Sequence, residues 1–257
     1  MKAIIMAAGV GSRLKQIIGD KPKCLIEVNG ITLISRSVSN LQRRGITDIS
    51  VITGYKSELI HRELQSRVKY LHNPFYTVTN SISSLWLAKE TLCDDVMLMN
   101  ADLFYDEAVM DTAMAETDHA VMLSDSTRIE DADFRFGVSG NRILKTGNRL
   151  SNLETDCEYV GIVRIDKSFI AAFKERLEEM VVLGDFRNWW EGVLYSFIEE
   201  GTDIFHKDVG GAFWTEVDHM GDYNRLVEWN TAQQQEFIPV REALHRLIDI
   251  APSPTFQ

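Results

Sequence analysis

The sequence predicts an α/β protein built on a doubly wound, mostly parallel mixed sheet, with a smaller β/α subregion in its second half. Three observations support this fold class. Short apolar runs alternate with segments of helical periodicity through residues 1–123, which is typical of a parallel sheet covered by helices. The first run leads directly into a loop of small residues, as at the ligand-binding edge of such sheets. Beyond residue 123, strand-like runs follow one another without long helices between them.

The first half opens with an apolar run at Ala3–Met6, which is long enough for a buried strand but too short for a stable helix. Leu33, Val38 and Leu41 recur at helical spacing, and Gly45 is suited to end that helix. In chain order, the remaining predicted elements of this half are the strands Leu25–Val28 and Ile49–Thr53, a helix capped by Ser57 and running to Leu64, the strand Val68–Leu71, a helix from Ile82, the strand Val96–Leu103, the helix Glu107–Ala113 and the strand Ala120–Leu123.

The second half mixes strands and helices, with turn signals at residues 140–141 and 147–148. We expect one domain over residues 1–235, followed at 236–257 by a C-terminal helix, Val240–Ile250, and a frayed tail. That helix would dock on its own domain or on a second subunit of a homodimer, and the sequence leaves both open. In chain order, the other predicted elements are the strands Phe134–Val138, Arg142–Lys145 and Tyr159–Ile165, the helices Ser168–Val182 and Arg187–Glu200, the strand Asp203–Lys207, a short strand at 213–218 and the helix Gly221–Gln235.

Composition limits the classes of protein. At 257 residues, with 45% hydrophobic residues, the chain can bury one large core or two small ones. A formal net charge of −11 argues against a nucleic-acid partner, because binding a phosphate backbone needs an excess of Lys and Arg. We find no stretch of transmembrane length and no signal-peptide pattern, so no membrane partner is expected. The three cysteines are widely spaced, which favours reduced thiols and a cytoplasmic location.

The loop after the first strand carries the strongest chemical signal. It reads Ala-Ala-Gly-Val-Gly-Ser-Arg over residues 7–13, and its small side chains leave the backbone N–H groups uncovered. Gly9 and Gly11 permit positive φ angles and close approach of a ligand. Uncovered amides near Arg13 and Lys23 suit a polyphosphate. An ordinary glycine-rich surface turn is the alternative, and neither the dinucleotide fingerprint Gly-x-Gly-x-x-Gly nor the P-loop pattern is complete here.

Together with Lys-Pro-Lys-Cys-Leu at residues 21–25, this loop resembles the signature of the nucleotidyltransferases that couple an NTP to a small phosphate ester. The resemblance implies the Rossmann-like nucleotide-diphospho-sugar transferase fold, with an NTP-binding half at 1–123 and an acceptor-binding half at 124–235. It also implies two catalytic residues: Lys23 reaches the α-phosphate, and Arg13 neutralises the departing pyrophosphate. The nucleotide-binding residues expected in the loop are Ala7, Ala8, Gly9, Gly11 and Ser12.

A second signal lies where the helix near residue 82 begins. Asn80 or Ser81 can cap this helix, and in one interpretation that is all they do. In the other, both side chains lie beside the glycine loop and bind the base or ribose of the nucleotide. The surrounding run Asn-Pro-x-Tyr-x-x-Thr-Asn-Ser-x-x-Ser-Leu-x-Leu-Ala is similar to a stretch of the phosphocholine-type cytidylyltransferases, which favours CTP as the nucleotide.

Carboxylates at two strand ends form the candidate metal site. Asp102 lies near the carboxyl end of its predicted strand, where parallel sheets bind ligands; a helix cap is the alternative, but Asp106 is better placed for that. Glu216 and Asp218 share one face of a short strand. Carboxylates crowded together repel each other unless a cation lies between them. In the resembled family Asp102 and Asp218 match the Mg²⁺ ligands, and such ions prefer carboxylate and phosphate oxygens.

The acceptor site is predicted from aromatic rings and negative charge in the second half. Aromatic faces with carboxylates suit a quaternary or primary ammonium group, although each ring could equally belong to the core. Trp190 and Glu191 resemble the aromatic–acid pair near the choline pocket of the phosphocholine enzymes. Many relatives carry a Lys close to the position of Arg149, and an Arg does not replace it one for one. The expected acceptor-binding residues are Trp190, Glu191, Glu216, Arg149 and Tyr159.

The resemblance therefore implies an enzyme, a Mg²⁺-dependent cytidylyltransferase. It would transfer CMP from CTP to a small phosphorylated or phosphonate amine, such as phosphocholine or 2-aminoethylphosphonate, and release pyrophosphate. Two alternatives stay open, namely a sugar-1-phosphate nucleotidyltransferase and a non-catalytic nucleotide-binding regulator. The run at Thr79–Ser81 weighs against the first. The joint presence of Arg13, Lys23, Asp102 and Asp218 weighs against the second.

Overall fold

The computed structural model describes residues 1–14 and 18–233. The predicted helix Val240–Ile250 and the tail lie outside this part of the chain. The strands are β1 Lys2–Ala7, β2 Glu27–Val28, β3 Ile31–Thr32, β4 Ile49–Thr53, β5 Lys69–His72, β6 Val96–Asn100, β7 Leu103–Tyr105, β8 Ala120–Asp125, β9 Arg135–Ser139, β10 Arg142–Gly147, β11 Cys157–Ile165, β12 Phe205–Asp208 and β13 Trp214–Glu216. The helices are α1 Leu33–Arg43, α2 Ser57–Leu64, α3 Ser81–Leu87, α4 Glu107–Ala115, α5 Lys167–Val182, α6 Gly192–Glu199 and α7, residues 220–233.

Nine strands of the described residues form one mixed sheet in the order β5-β4-β1-β6-β11-β8-β12-β10-β9. The first four are parallel, since β1 pairs with both β4 and β6 and β4 pairs with β5. β11 then runs antiparallel to β6 and to β8. Because β9 also pairs with the start of β11, the strands of the second half close into a ring of pairings. The sequence prediction of a mostly parallel first half and a separate mixed subregion agrees with this topology.

Helices cover both faces of the sheet. Successive strand residues point to opposite sides, so neighbouring residues of one buried strand belong to different cores. Ile5 packs in the core that includes apolar residues of α1, α2 and α4, whereas Ile4 packs in the core that includes α3, α5 and α6. This arrangement is the doubly wound one. The boundary proposed at residue 123 and the single domain over 1–235 stay predictions. None of the described helices combines the length and apolar character that crossing a bilayer requires.

Three local predictions in the first half are wrong. The predicted strand Val96–Leu103 is divided into β6 and β7, with a turn at residues 101–102 between them. The first residues of the predicted strand Leu25–Val28 form a 3₁₀ turn, Lys23–Leu25, and only Glu27–Val28 pairs as a strand. The turn is closed by the Ile26 N–H, which donates to the Lys23 carbonyl at 2.9 Å. Ser57 begins α2 but does not cap it, because the N-cap position is Lys56, held in the left-handed region at φ 44° without a side-chain cap.

The predicted helix Arg187–Glu200 begins later than expected, at Gly192. Residues 187–191 form turns instead. The reason is tertiary, because the Trp190 N–H donates to the hydroxyl of Ser81 at 3.0 Å. An amide committed to a distant side chain cannot also continue a regular helix. This contact ties the segment before α6 to the first turn of α3.

Candidate active site

A cleft of about 700 Å³ opens at the carboxyl ends of β1 and β6. The chain builds β4 and β5 on one side of β1 and then returns to place β6 on the other. The cleft therefore lies where the strand order reverses, which is the usual ligand position in doubly wound sheets. The sequence-predicted residues that line it are Ala7, Ala8, Gly9, Gly11, Arg13, Lys23, Asn80, Ser81, Asp102, Tyr159, Glu191, Glu216 and Asp218.

The loop after β1 forms one wall of the cleft. Gly9 has open space where a Cβ would lie, whereas a Cβ on Gly11 would collide with the Cγ of Lys23. Gly11 also has φ +64°, in the left-handed region that favours glycine. Ser12 lies in the 3₁₀ turn that follows, Ser12–Leu14. The absence of a side chain at Gly11 therefore lets the stem of Lys23 pass directly against the loop.

Lys23 lies at the centre of the cleft. Its ammonium contacts the carboxylates of both Asp102 and Asp218, and its side chain is 18% exposed. Burial alone would lower the pKa of Lys23, but the charges of Asp102, Asp218 and Glu216 outweigh it and raise the pKa above its ordinary value. Arg13 is far more exposed, with its guanidinium 3.5 Å from Asp218. Lys23 is therefore a fixed positive charge in the cleft, and Arg13 is a second one at its rim.

Three carboxylates converge around this lysine. Asp102, Glu216 and Asp218 each offer an oxygen, and these atoms lie within 4.8 Å of one another. The Val217 N–H donates to the Asp102 carbonyl at 3.0 Å, which joins the segment after β13 to the segment after β6. Burial and the charges of Asp102 and Asp218 raise the pKa of Glu216 well above its ordinary value. Oxygen donors at this spacing fit a hard divalent cation, which would relieve their mutual repulsion.

Asn80 and Ser81 face the cleft from the N-terminus of α3. Asn80 is the N-cap, and its Oδ1 accepts a hydrogen bond from the Ser81 N–H at 2.8 Å. The Ser81 hydroxyl accepts from the Trp190 N–H. Asn73, which sequence analysis did not single out, also lines the cleft and is 1% exposed; its Nδ2 donates to the Ser84 hydroxyl at 2.9 Å. Both predicted side chains therefore hold local structure and line the cleft at once.

The prediction for Trp190 needs a correction. Its ring is fully buried and is not part of the cleft wall, whereas the neighbouring Trp189 is 52% exposed and does line the cleft. The indole N–H of Trp190 donates to the Oδ1 of Asn100 at 3.0 Å. Trp190 thus acts from behind the wall, through Asn100, and offers no face to a ligand.

Arg149 also lies elsewhere than predicted. It is exposed and absent from the described residues that line the cleft, and the neighbouring Asn148 lines it instead. Gly147 ends β10 with φ +152°, and the turn after it brings Asn148 rather than Arg149 to the wall. Glu191 and Tyr159 do lie at this end of the cleft, as predicted for the acceptor side.

Asn100 is another polar residue of the site that sequence analysis missed. It ends β6, two residues before Asp102. Its Nδ2 lies 3.3 Å from an oxygen of Glu191 and 3.3 Å from an oxygen of Glu216. Burial raises the pKa of Glu191 to about 7. The sequence did contain a signal for Asn100, because its side-chain amide lies at the end of a predicted buried strand and just before a predicted metal ligand.

Glu158 supports the cleft from behind. It is 3% exposed in β11, and its Oε1 accepts from the Asp133 N–H at 2.8 Å while its Oε2 lies 3.3 Å from the Nε of Arg128. Burial raises the pKa of Glu158 to about 7, against the opposing charge of Arg128. Asp133 and Phe134 line the cleft, so Glu158 anchors a loop that shapes the site.

We expect the free energy of unfolding to fall between about pH 5 and pH 8, and Glu158→Gln to remove part of that fall. The folded state binds the Glu158 proton more tightly than the unfolded state does, so its contribution is full below the ordinary pKa and lost as pH rises through about 7. Between pH 5 and pH 8, the free energy of unfolding should fall by about 1–3 kcal/mol more in the wild type than in Glu158→Gln. Urea denaturation at both pH values measures it. Glu175→Gln, at an exposed position of α5, should keep the wild-type pH dependence. Equal pH dependence in both variants would contradict the assignment.

The fold and the cleft define the class of protein, a nucleotidyltransferase. Residues 3–138, more than half of the chain, match the MobA-like NTP transferase domain, and the chain belongs to this family. The predicted family and fold class are confirmed.

Similar proteins cover nearly the whole chain. The CTP:phosphoglutamine cytidylyltransferase of Campylobacter jejuni is 25% identical over 255 residues, covering 89% of this chain and 100% of that protein. The choline-phosphate cytidylyltransferase of Streptococcus pneumoniae is 26% identical over 230 residues, covering 89% of this chain and 97% of that protein. The solved structure of the CTP:phosphocholine cytidylyltransferase of Streptococcus pneumoniae has a TM-score of 0.74 at 24% identity, covering 88% and 97% of the two chains, which shows a shared fold.

Proposed function

We propose that this chain is a Mg²⁺-dependent cytidylyltransferase. It transfers CMP from CTP to a small phosphorylated or phosphonate amine, such as phosphocholine or 2-aminoethylphosphonate, and releases pyrophosphate. One observation carries the proposal: a single cleft combines the glycine loop at one end with the buried carboxylates of Glu191 and Glu216 at the other. The loop amides suit an anionic nucleotide, and a cationic acceptor would favour the charged form of the two carboxyl groups. The similarity to two cytidylyltransferases supports CTP as the nucleotide.

Such a transfer asks the protein for positioning and charge neutralisation rather than covalent chemistry. An oxygen of the acceptor phosphate or phosphonate attacks the α-phosphorus of CTP. The bond from that phosphorus to the oxygen of the β-phosphate breaks, and its electron pair leaves with pyrophosphate. In this proposal the amides of Gly9 and Gly11 hold the β- and γ-phosphates. Lys23 stabilises the charge on the α-phosphate, and Arg13 neutralises the leaving pyrophosphate.

The carboxylates of Asp102 and Asp218 are the proposed Mg²⁺ ligands, with Glu216 close enough to join them or to accept from a bound water. When bound, the ion would neutralise phosphate charge at the reacting centre. Lys23 contacts both carboxylates. Its ammonium would therefore lie beside the reacting phosphate. Asn80 and Ser81 are the proposed contacts to the base or ribose, from the opposite wall.

Pyrophosphate release tests the proposal. CTP, UTP, dTTP, ATP and GTP would each be offered with phosphocholine, 2-aminoethylphosphonate and glucose 1-phosphate, with and without Mg²⁺. We expect pyrophosphate release with CTP and an amine-bearing acceptor, and only when Mg²⁺ is present. Release with glucose 1-phosphate would assign the chain to the sugar-nucleotide enzymes instead. Tight CTP binding without release from any acceptor would favour the regulatory alternative.

Gly11→Ala is expected to lower kcat/KM for CTP by about 10- to 100-fold, the effect of displacing a catalytic group by a small distance. The new Cβ would collide with the stem of Lys23. Steady-state kinetics measure the loss. Gly140→Ala is the matched control, because Gly140 also has a positive φ, +62°, but has open space at its Cβ position. Similar kinetics for the two variants would show that backbone strain, and not Lys23, accounts for the effect.

A further inference from the structure

We infer that the amine of the acceptor is a primary or secondary ammonium group, which donates N–H hydrogen bonds to Glu191 and Glu216, and not a quaternary ammonium. This inference rests on the proposed function and names the class of acceptor within it. At the acceptor end of the cleft, some polar atoms and ring faces are available to bind a cation. Others already form hydrogen bonds or pack against neighbouring side chains.

The acceptor end of the cleft offers two carboxylates as hydrogen-bond acceptors. Glu191 is 6% exposed, and it lines the cleft together with Glu216. Both carboxylates receive a hydrogen bond at 3.3 Å from one and the same donor, the Nδ2 of Asn100. A carboxylate has about four acceptor positions, so one shared amide leaves most of them for a ligand. A buried carboxyl group accepts most strongly when it is ionised, and a donor that is itself charged favours that ionised form. An ammonium group with N–H bonds meets this requirement, and a quaternary one has no N–H to offer.

Trp190 fixes the orientation of the Asn100 amide. The indole N–H of Trp190 can only donate, so its partner at 3.0 Å must be the carbonyl oxygen of the Asn100 amide. That bond fixes the NH₂ end of the amide towards the two carboxylates. The buried Trp190 is therefore a positioning residue, which keeps Glu191 and Glu216 paired around one donor.

The aromatic rings at this end of the cleft pack on one another. A quaternary ammonium is bound by several open ring faces arranged as a cage. Here Phe134 stacks on Tyr195, with centroids 4.7 Å apart and an angle of 10° between the rings. Trp189 meets Phe134 at an angle of 86°, and Tyr159 is 8% exposed and packs on Phe136. These rings line the cleft, but each one also packs against another ring, so few open faces remain for a quaternary ammonium.

Tyr159 adds a polar group to the same end. Its hydroxyl oxygen is buried and has no hydrogen-bond partner within residues 1–14 and 18–233. The negative charge of Glu191 adds to burial in raising the pKa of Tyr159, so the ring lies within the field of that carboxylate. A buried hydroxyl without a partner is costly, so Tyr159 adds to the polar character of this end of the cleft.

Glu216 also limits the length of the acceptor. The same carboxylate belongs to the cluster with Asp102 and Asp218 and accepts from Asn100. The end that binds the amine and the centre that binds phosphate are therefore separated by little more than one side chain. A small acceptor with a short linker between phosphorus and nitrogen fits this spacing.

The N-methyl series from phosphoethanolamine to phosphocholine tests the inference, because its members share one phosphate and differ only in methyl groups. We expect kcat/KM to fall along the series, with the large steps at the second methyl, which leaves one N–H for two carboxylates, and at the third methyl, which removes the last N–H. Phosphocholine should be about 10- to 100-fold poorer than phosphoethanolamine, the effect of losing a hydrogen bond to a charged group. Equal or better use of phosphocholine would overturn the inference.

Two variants locate the effect. Glu191→Gln should reduce the ratio of kcat/KM for phosphoethanolamine to kcat/KM for phosphocholine. Glu175→Gln, on the exposed face of α5, should keep the wild-type value of this ratio. Trp190→Phe keeps a ring but removes the N–H that orients Asn100. It should raise KM for phosphoethanolamine about 3- to 10-fold and leave KM for CTP unchanged, as expected for one lost neutral hydrogen bond. A thermal melt checks that this variant folds. A parallel rise in the KM for phosphoethanolamine and the KM for CTP would show a purely structural role. It would contradict the assignment of Trp190 as a positioning residue.

Direct binding separates failure of the inference from failure of the proposed function. If no acceptor gives pyrophosphate, phosphoethanolamine and phosphocholine are titrated calorimetrically into the protein saturated with CTP. Binding of phosphoethanolamine in preference to phosphocholine would uphold the amine class while the proposed reaction fails. No binding of phosphoethanolamine, or tighter binding of phosphocholine, would overturn the inference.

Discussion

Replacing Lys23 with Met is expected to lower kcat for cytidylyl transfer by about 10²–10³-fold, the cost of losing one preorganised donor to a developing oxyanion. Methionine keeps the length of the stem that passes Gly11, so the loop retains its packing. What is lost is the fixed positive charge that contacts Asp102 and Asp218. Rapid-quench measurement of CMP transfer at saturating CTP and Mg²⁺ would isolate the chemical step.

Lys69→Met is the matched control for that experiment. Lys69 also pairs with an aspartate, Asp48, at 2.7 Å, but its side chain is 68% exposed at the start of the edge strand β5. Its loss should leave kcat at the wild-type level, since exposed pairs contribute little. If Lys23→Met kept most of its activity, Lys23 would be a counter-ion of the carboxylates and not a catalytic residue.

Asp218→Asn is expected to reduce activity by a similar factor, about 10²–10³, if Asp218 holds the metal that stabilises charge at the reacting centre. The Mg²⁺ concentration for half-maximal rate should rise by at least about 10- to 100-fold, the range found when a residue that merely supports a metal ligand is lost. Asparagine preserves the shape of the side chain and removes its charge. The dependence of the melting temperature on added Mg²⁺ gives a second measurement, independent of turnover.

Asp111→Asn provides the comparison for Asp218. Asp111 likewise lies beside an arginine, Arg44, but its side chain is 66% exposed on α4. Its response to Mg²⁺ should match the wild type in both measurements. An unchanged Mg²⁺ requirement in Asp218→Asn would remove Asp218 from the metal site and leave Asp102 and Glu216 as the remaining candidates.

Much of the fold followed from sequence because periodicity and sheet geometry are local rules. The alternation of apolar runs and helical spacing predicted β4 at Ile49–Thr53 with the bounds that the structure has. The glycine loop, Asp102 and the Glu216–Asp218 pair were predicted as one site, because parallel strands bring their carboxyl ends to one edge of a sheet. The structure puts these residues in one cleft. Their chemical roles stay predictions until the variants are measured.

By itself, then, the sequence determined the fold class, the phosphate-type loop and the strand-end carboxylates, since each depends on residues close together in the chain. Tertiary structure alone decided which neighbour faces the ligand at the acceptor end. Trp189 rather than Trp190 lines the cleft because the Trp190 N–H bonds to Ser81, 109 residues earlier in the chain, and its indole bonds to Asn100. Adjacent residues of an irregular segment point in different directions, and only such long-range contacts fix which direction each one takes.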